Sequence, residues 1–285
     1  MKGPVSEVQI DALRDGGSVH RADAIAIEEP LEIRLVKEGS PSAESNGGTG
    51  RPVSITMRTP GHDAELAVGF LYGEGLLREP RDVVEARHCG PSGNVIRITV
   101  RADLPLDLDR LNRNFYTTSS CGVCGKASID AVTASAGIRR VSSNLVVRES
   151  VLRIMPDTLR AAQAGFAETG GMHAVGLFTP EGELLGIRED VGRHNAMDKL
   201  VGAALMEGTL PWSQCVLLLS GRASFELIQK AMMAGASTVA AIGAPSTLAV
   251  QLAESAGITL VAFLRSGGCN VYCHAARVLP VRGVS

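Results

Sequence analysis

The chain has 285 residues, of which 45% are hydrophobic and 20% charged, so it can bury a large core and has the composition of an ordinary globular protein. Its net charge of −2 excludes a bulk field that would attract nucleic acid or an acidic membrane, so any anionic ligand must be held by local groups. Six cysteines in this length are too sparse for a disulfide scaffold.

Residues 1–17 read as a polar, disordered tail, and Met1–Glu7 lacks the apolar stretch of a secretory signal. The longest apolar runs, Val216–Leu219 and Leu260–Leu264, are too short to span a bilayer. These features predict a cytoplasmic protein with no membrane or nucleic-acid partner. From residue 18 the pattern becomes structured. Ala24–Ala26 and Leu31–Leu35 read as strand, turn and strand around Glu28-Glu29-Pro30. Residues 37–51, rich in Gly, Ser and Pro and free of apolar anchors, read as a mobile insertion between two strands. Val53, Ile55 and Met57 alternate with polar residues as a half-buried strand. Asp63 is placed to cap a helix running to about Leu77, and Asp82–His88 with Val95–Val100 form a further strand pair. A small α+β domain over residues 18–115 accounts for all of this.

The second domain, residues 116–285, opens on Thr117–Ser128, which carries Cys121-Gly122-Val123-Cys124. Ile129, Val132 and Ala136 follow at helical spacing, so both cysteines fall at the entrance to a predicted helix. Unpaired N–H groups, the positive end of the helix dipole and Lys126 all stabilise a thiolate there. By spacing alone the pair also fits a disulfide or half of a zinc site. Pro156 opens a predicted helix to about Phe166, and Ala174–Phe178 with Glu183–Arg188 make a hairpin. A helix follows over Asn195–Met206. Strands Cys215–Leu219, Thr238–Ile242 and Thr259–Leu264 then alternate with helices Phe225–Ala234 and Ser246–Ala256, which predicts a largely parallel sheet layered between helices, an α/β fold.

Ligands gather at the carboxyl ends of such strands. Those ends carry Ser220-Gly221-Arg222-Ala223-Ser224, Gly243–Thr247, Arg265-Ser266-Gly267-Gly268 and, after the hairpin, Glu189–Asn195 with Arg193 and His194. Each could be an ordinary turn. Together, with three arginines and two loops leading into helix N-termini, they predict a site for a phosphate-bearing ligand.

Cys121–Ser128, Gly192-Arg193-His194-Asn195-Ala196-Met197-Asp198-Lys199 and Ser220–Ser224 resemble the hallmark blocks of the formate dehydrogenase accessory protein family of sulfurtransferases. Glu65–Leu71, Thr169–Ala174 and Ala244–Val250 support the match, which runs from about residue 20 to the C-terminus. The resemblance implies a second domain of the three-layer αβα, cytidine deaminase-like kind, and a homodimer. It also implies a relay in which a cysteine desulfurase loads a persulfide onto Cys121. The sulfur would then pass to a molybdenum or tungsten bis-pterin guanine dinucleotide cofactor destined for formate dehydrogenase. Phe263, Leu264, Arg265, Ser266, Gly267 and Gly268 would line the nucleotide site. Cys124, one turn into the helix, would assist.

Other readings are weighed against this one. Cys269, Cys273 and His274 could complete a zinc set with the C-x-x-C, but four-residue spacing in an extended segment does not bring two sulfurs together, and no protein-bound metal is expected. Deaminase chemistry needs an H-x-E motif, which is missing, and Ser120 stands where a proline would precede the first cysteine. A carrier that protects the cofactor with purely structural cysteines is the main alternative, and a thioredoxin-like oxidoreductase a third. His173 and His194 are candidate proton carriers or ligand contacts.

Overall fold

A computed structural model describes residues 3–40, 50–106 and 140–280. Cys121 and Cys124, their predicted helix and most of the predicted 37–51 insertion lie outside the described residues. No helix among the described residues is long and apolar enough to cross a membrane.

The chain begins with β1 (Val5–Arg14), which turns at Asp15-Gly16 and pairs antiparallel along its whole length with β2 (Gly17–Ala26). This corrects the expectation of a disordered tail at the N-terminus. Alternation of Val8, Ile10 and Ala12 with polar residues is a strand signal that the high polar content obscured. It also corrects the partner of Ala24–Ala26. The strand β3 (Glu29–Lys37) does not turn back onto β2 but joins a separate four-stranded sheet. Its order is β4 (Arg51–Arg58), β3, β6 (Val95–Val100), β5 (Val83–His88).

Helix α1 (Asp63–Gly73) follows β4 and is shorter than the predicted run to Leu77. Asp63 is its first residue and not its cap. Arg58 holds the carboxylate in a bidentate grip, with Nε and Nη2 donating at 2.9 Å each, and left-handed His62 occupies the cap position. Leu66, Ala67 and Leu71 of α1 bury against Leu31, Ile33, Ile96 and Ile98 of the sheet.

In the second half, β7 (Val147–Arg148) leads into α2 (Glu149–Ala162), which starts a full two turns before the predicted Pro156. Proline in its middle removes one helical hydrogen bond, a cost that burial of Leu152, Met155 and Leu159 along one stripe offsets. A short α3 (Ala164–Thr169) ends at left-handed Gly170. The predicted hairpin forms as β8 (His173–Phe178) and β9 (Leu184–Asp190). After α4 (Arg193–Glu207) come β10 (Val216–Leu219), α5 (Phe225–Met233), β11 (Thr238–Ala241), α6 (Thr247–Ala256), β12 (Thr259–Arg265) and β13 (Gly268–Cys273). A two-residue β14 (Val278–Leu279) returns to pair with β7.

The main sheet has the order β13-β12-β11-β10-β8-β9. Only β10–β11 and β11–β12 are parallel, so the predicted parallel character is confined to its centre and the sheet is mixed. Alternate residues point to opposite sides. Val216 and Leu218 meet α2, while Leu217 and Leu219 meet the cluster that contains α4, α5 and α6. That second cluster continues without a break into the four-stranded sheet around α1.

Helices α1 and α4 join the two halves through an unusually close crossing. A Cβ on Gly69 would sit 1.9 Å from the Asp198 carbonyl oxygen, and one on Gly202 would sit 1.8 Å from that of Glu65. Both neighbours are backbone, so they cannot swing aside. Gly→Ala in a helix ordinarily gains up to about 1 kcal/mol, but here the clash reverses the sign. Gly69→Ala and Gly202→Ala are each expected to lower stability by about 2 kcal/mol or more, as overpacking against backbone does. Urea unfolding midpoints check this, and an unchanged or raised midpoint would contradict the crossing.

Candidate functional site

The strand ends predicted to form one edge do so in the fold. Because β8 runs antiparallel to β10, its first residue, His173, lies beside the carboxyl end of β10, and Asp190 at the end of β9 lies beside His173. Backbone hydrogen bonds layer the loops on one another. Ser220 exchanges bonds with Ala174 of β8, its amide donating to the carbonyl at 3.0 Å and its Oγ accepting from the amide at 2.8 Å. Gly243 N–H donates to Gly221 O at 2.9 Å, Ala223 N–H to Ala244 O at 3.1 Å, and Phe263 N–H to Gly243 O at 3.2 Å. A Cβ on Gly243 would lie 3.0 Å from the Arg222 amide nitrogen, so the stack closes only with glycine or a local shift there.

This stack places the predicted residues unequally. Arg222 and Arg265 are exposed, and Ala223 is buried between loops. Arg265 and Gly268 pair across a two-residue turn of Ser266 and Gly267, and Ser266 O accepts from Arg153 Nε of α2 at 2.6 Å. Phe263 is exposed with a positive φ of 52°. Leu264 faces away from the edge, fully buried in the cluster beneath α2. Arg265 is two strands from the Arg222 loop, a lateral distance of about 10 Å at ordinary strand spacing.

Arg193 is the first residue of α4, half-buried, and its Nε meets no hydrogen-bond partner among the described residues. His194 follows, with Nε2 3.4 Å from Ser224 Oγ and 3.4 Å from a Glu226 carboxylate oxygen. Burial pushes the His194 pKa down to about 4, and Glu226 opposes that only in part, so the ring is neutral at pH 7. His173 is shifted down as well, first by burial and then by the Arg193 charge. A Cβ on Gly221 would lie 3.4 Å from His173 Nδ1, which sets that ring directly against the loop. The helix ends differ in availability. Ser246 Oγ already accepts from Ala249 N–H at the start of α6, whereas Ser224 at the start of α5 makes no such cap.

Sequence reasoning did not single out the groups that hold this edge in place. Asp190 is fully buried and accepts from Gly192 N–H at 2.8 Å, Asn195 Nδ2 at 3.0 Å, Thr59 N–H at 3.1 Å and Lys199 Nζ at 2.7 Å. Lys199 Nζ also donates to Thr59 O at 2.9 Å, and Asn195 Nδ2 donates to Met57 O at 2.7 Å. The start of α4 is thereby fastened to the end of β4. The five-residue spacing of Asp190 and Asn195, followed by Lys199 one helical turn on, was the available signal. Charge pattern does not separate buried from solvated polar residues.

Cys269 packs with the cluster beneath α2, whereas Cys273 packs on the other side of the sheet with Sγ 3.5 Å from Val250 O. The two sulfurs therefore do not converge. Among the described residues no three His, Cys, Asp or Glu side chains gather to hold a metal ion.

The His194 shift has a measurable consequence. The unfolded histidine binds a proton near pH 6.5 and the folded one only near pH 4. Between those values the unfolded state holds more protons, so stability is full above about pH 6.5 and falls as pH drops toward 4. His194→Gln removes this contribution. The stability lost between pH 7 and pH 5 is expected to be about 2 kcal/mol smaller in the variant. Urea titrations at the two pH values check it, and equal losses would show that the ring protonates freely in the fold.

The FdhD/NarQ family model matches residues 42–279. The chain is 50% identical over 274 residues to a "Sulfur carrier protein FdhD" of Streptomyces coelicolor, covering 93% of each. It is 46% identical over 271 residues to the protein of the same name from Mycobacterium tuberculosis, covering 91% of this chain and 93% of that one. The fold matches the "crystal structure of a putative formate dehydrogenase accessory protein from Desulfotalea psychrophila" with a TM-score of 0.72. That alignment covers 96% of this chain and 99% of the other at 21% identity, a likeness of fold. By sequence match along most of its length, this chain belongs to the FdhD/NarQ family.

Proposed function

We propose that the protein is a cytoplasmic, homodimeric sulfurtransferase. It would take persulfide sulfur from a cysteine desulfurase onto Cys121 and pass it to a molybdenum or tungsten bis-pterin guanine dinucleotide, serving a formate dehydrogenase. Cys124 assists, and the second domain is of the cytidine deaminase-like kind. Family membership and the sulfur-carrier name of the relatives support the sulfur chemistry. The observation that carries the ligand half is the stack of loops at one sheet edge, where exposed Arg222 and Arg265 stand with Arg193, whose buried Nε has no partner among the described residues, on a chain of net charge −2. Phosphate oxygens would take charge-assisted hydrogen bonds from these groups.

The chemistry is thiol–disulfide exchange. The Cys121 thiolate attacks the outer sulfur of the donor persulfide, forms the new S–S bond, and releases the donor cysteine as thiolate. On delivery an electron pair of the acceptor would attack the outer sulfur, the S–S bond would break, and Cys121 would leave as thiolate, ready for another round. Arg193, Arg222 and the turn at Ser266–Gly268 orient the nucleotide end, and Phe263 offers a ring face to the guanine.

Incubation with a cysteine desulfurase and cysteine is expected to add about 32 Da, one sulfur on the persulfide rung of cysteine oxidation, to the peptide containing Cys121. Cys121→Ala should lose the adduct while keeping its circular dichroism, and Cys124→Ala should load but deliver poorly. Normal transfer by Cys121→Ala would overturn the assignment.

The nucleotide half is tested separately. GDP should bind the wild type, and Arg222→Ala should weaken it by about 1.5–3 kcal/mol, the range for a hydrogen bond to a charged group. Sulfur loading on Cys121 should survive that change. Calorimetry showing no GDP binding by the wild type, together with none of the intact cofactor, would reduce these loops to turns.

A further inference from the structure

The hairpin of β1 and β2 packs on α3 and supplies none of the side chains described above at the candidate site. It forms its own two-stranded sheet of ten uninterrupted residue pairs, and no strand among the described residues pairs with either of its edges. A free two-stranded hairpin is marginal in water. The β2 strand contains no proline, no lysine and no bulge, and its only charged pair is Arg21 with Asp23. Ile27 N–H donates to Pro4 O at 2.9 Å, which sets the phase of the ladder. Ser18, His20, Ala22 and Ala24 therefore turn their backbone groups away from β1.

The side chains of β2 are self-complementary about Ala22. If a second β2 lies antiparallel with Ala22 opposite Ala22, then Val19 falls opposite Ile25 and Arg21 opposite Asp23, each pair occurring twice on one face. Val19 is 60% exposed and Ile25 43%, so these are apolar groups left in water by the single chain. Arg21 and Asp23 already pair within the strand at 3.0 Å, and in this register they would build an alternating four-charge ladder. Shifting the axis to Arg21 or Asp23 sets like charges face to face. On β1, centring on Gln9 opposes Glu7 to Asp11, so that edge carries no equivalent pattern.

We propose that two copies of this chain associate through the outer edges of β2, giving a continuous four-stranded sheet with a two-fold axis at Ala22. The association is isologous, so it closes as a dimer and does not propagate. It deepens the homodimer of the proposed function by naming its contact and register.

The test uses the full-length protein with Ala22→Cys. Opposed residues in a hydrogen-bonded antiparallel pair have Cα atoms about 5.5 Å apart, within disulfide range. Mild oxidation should therefore give a covalent dimer whose peptide map contains a disulfide between the two introduced cysteines. Ser18→Cys is the control, since it falls opposite Ala26 and about 27 Å from its own copy at ordinary strand rise. It should link at least about tenfold less. Sedimentation of a Val19→Lys, Ile25→Lys variant should show dimer dissociation weakened by about tenfold or more through loss of two cross-strand apolar pairs. A wild type that sediments as a monomer overturns both the dimer and this interface. A wild-type dimer in which Ala22→Cys gives no such link, or gives one in no better yield than Ser18→Cys, overturns the interface and leaves the dimer. Persulfide loading on Cys121 is measured in parallel and is independent of both results.

Discussion

One buried carboxylate holds the candidate site to the rest of the molecule. Asp190 has no exposed surface, and removing an ion from water costs several kcal/mol unless every lone pair is answered. Here four donors answer it, from Thr59 after β4, from Gly192 and Asn195 at the start of α4, and from the Lys199 ammonium. Three of these donors lie within nine residues of Asp190, whereas the fourth, Thr59, is 131 residues away in sequence. The geometry therefore exists only when the N-terminal sheet, β9 and α4 are assembled, and it aims Arg193 and His194 at the strand ends.

The glycine crossing of α1 and α4 serves the same end by a different force. Gly69 and Gly202 let two helix backbones touch, which brings the Thr59 end of β4 within reach of Asp190. A second buried pair, Lys230 with Asp198 at 2.7 Å, links α5 to α4 beside this contact, and Tyr72 Oη donates to Met233 O at 2.7 Å from α1. The helices beneath the loop stack are thus pinned by directional bonds as well as by apolar packing. Such pinning would serve the ligand role proposed above, since groups already in place need not be ordered on binding.

The electrostatics of the edge follow from burial. The histidines nearest the arginines are held neutral, so positive charge resides on arginines, which keep it at any working pH. A neutral ring can donate or accept a hydrogen bond without adding charge, and the Glu226 carboxylate stands 3.4 Å from His194 Nε2.

What could be read directly from the sequence was local and periodic. Strand alternation in β4, β6 and β10, the helices over Phe225–Met233 and Thr247–Ala256, and the arginine-bearing loops at strand ends are each a pattern within a dozen residues. The family resemblance was likewise legible from contiguous blocks. The rest depended on contacts between distant segments. Pairing of β2 with β1 and of β3 with β6, the antiparallel flanks of the main sheet, the helix running through Pro156, and Leu264 turned into the core were decided by which surfaces could be buried together. Above all, the role of Asp190 was invisible, because a carboxylate looks the same in sequence whether it is solvated or buried. Only the assembled fold, by excluding water and bringing Thr59 from the end of β4 to join Asn195 and Lys199 of the adjoining helix, makes it the anchor of the candidate site.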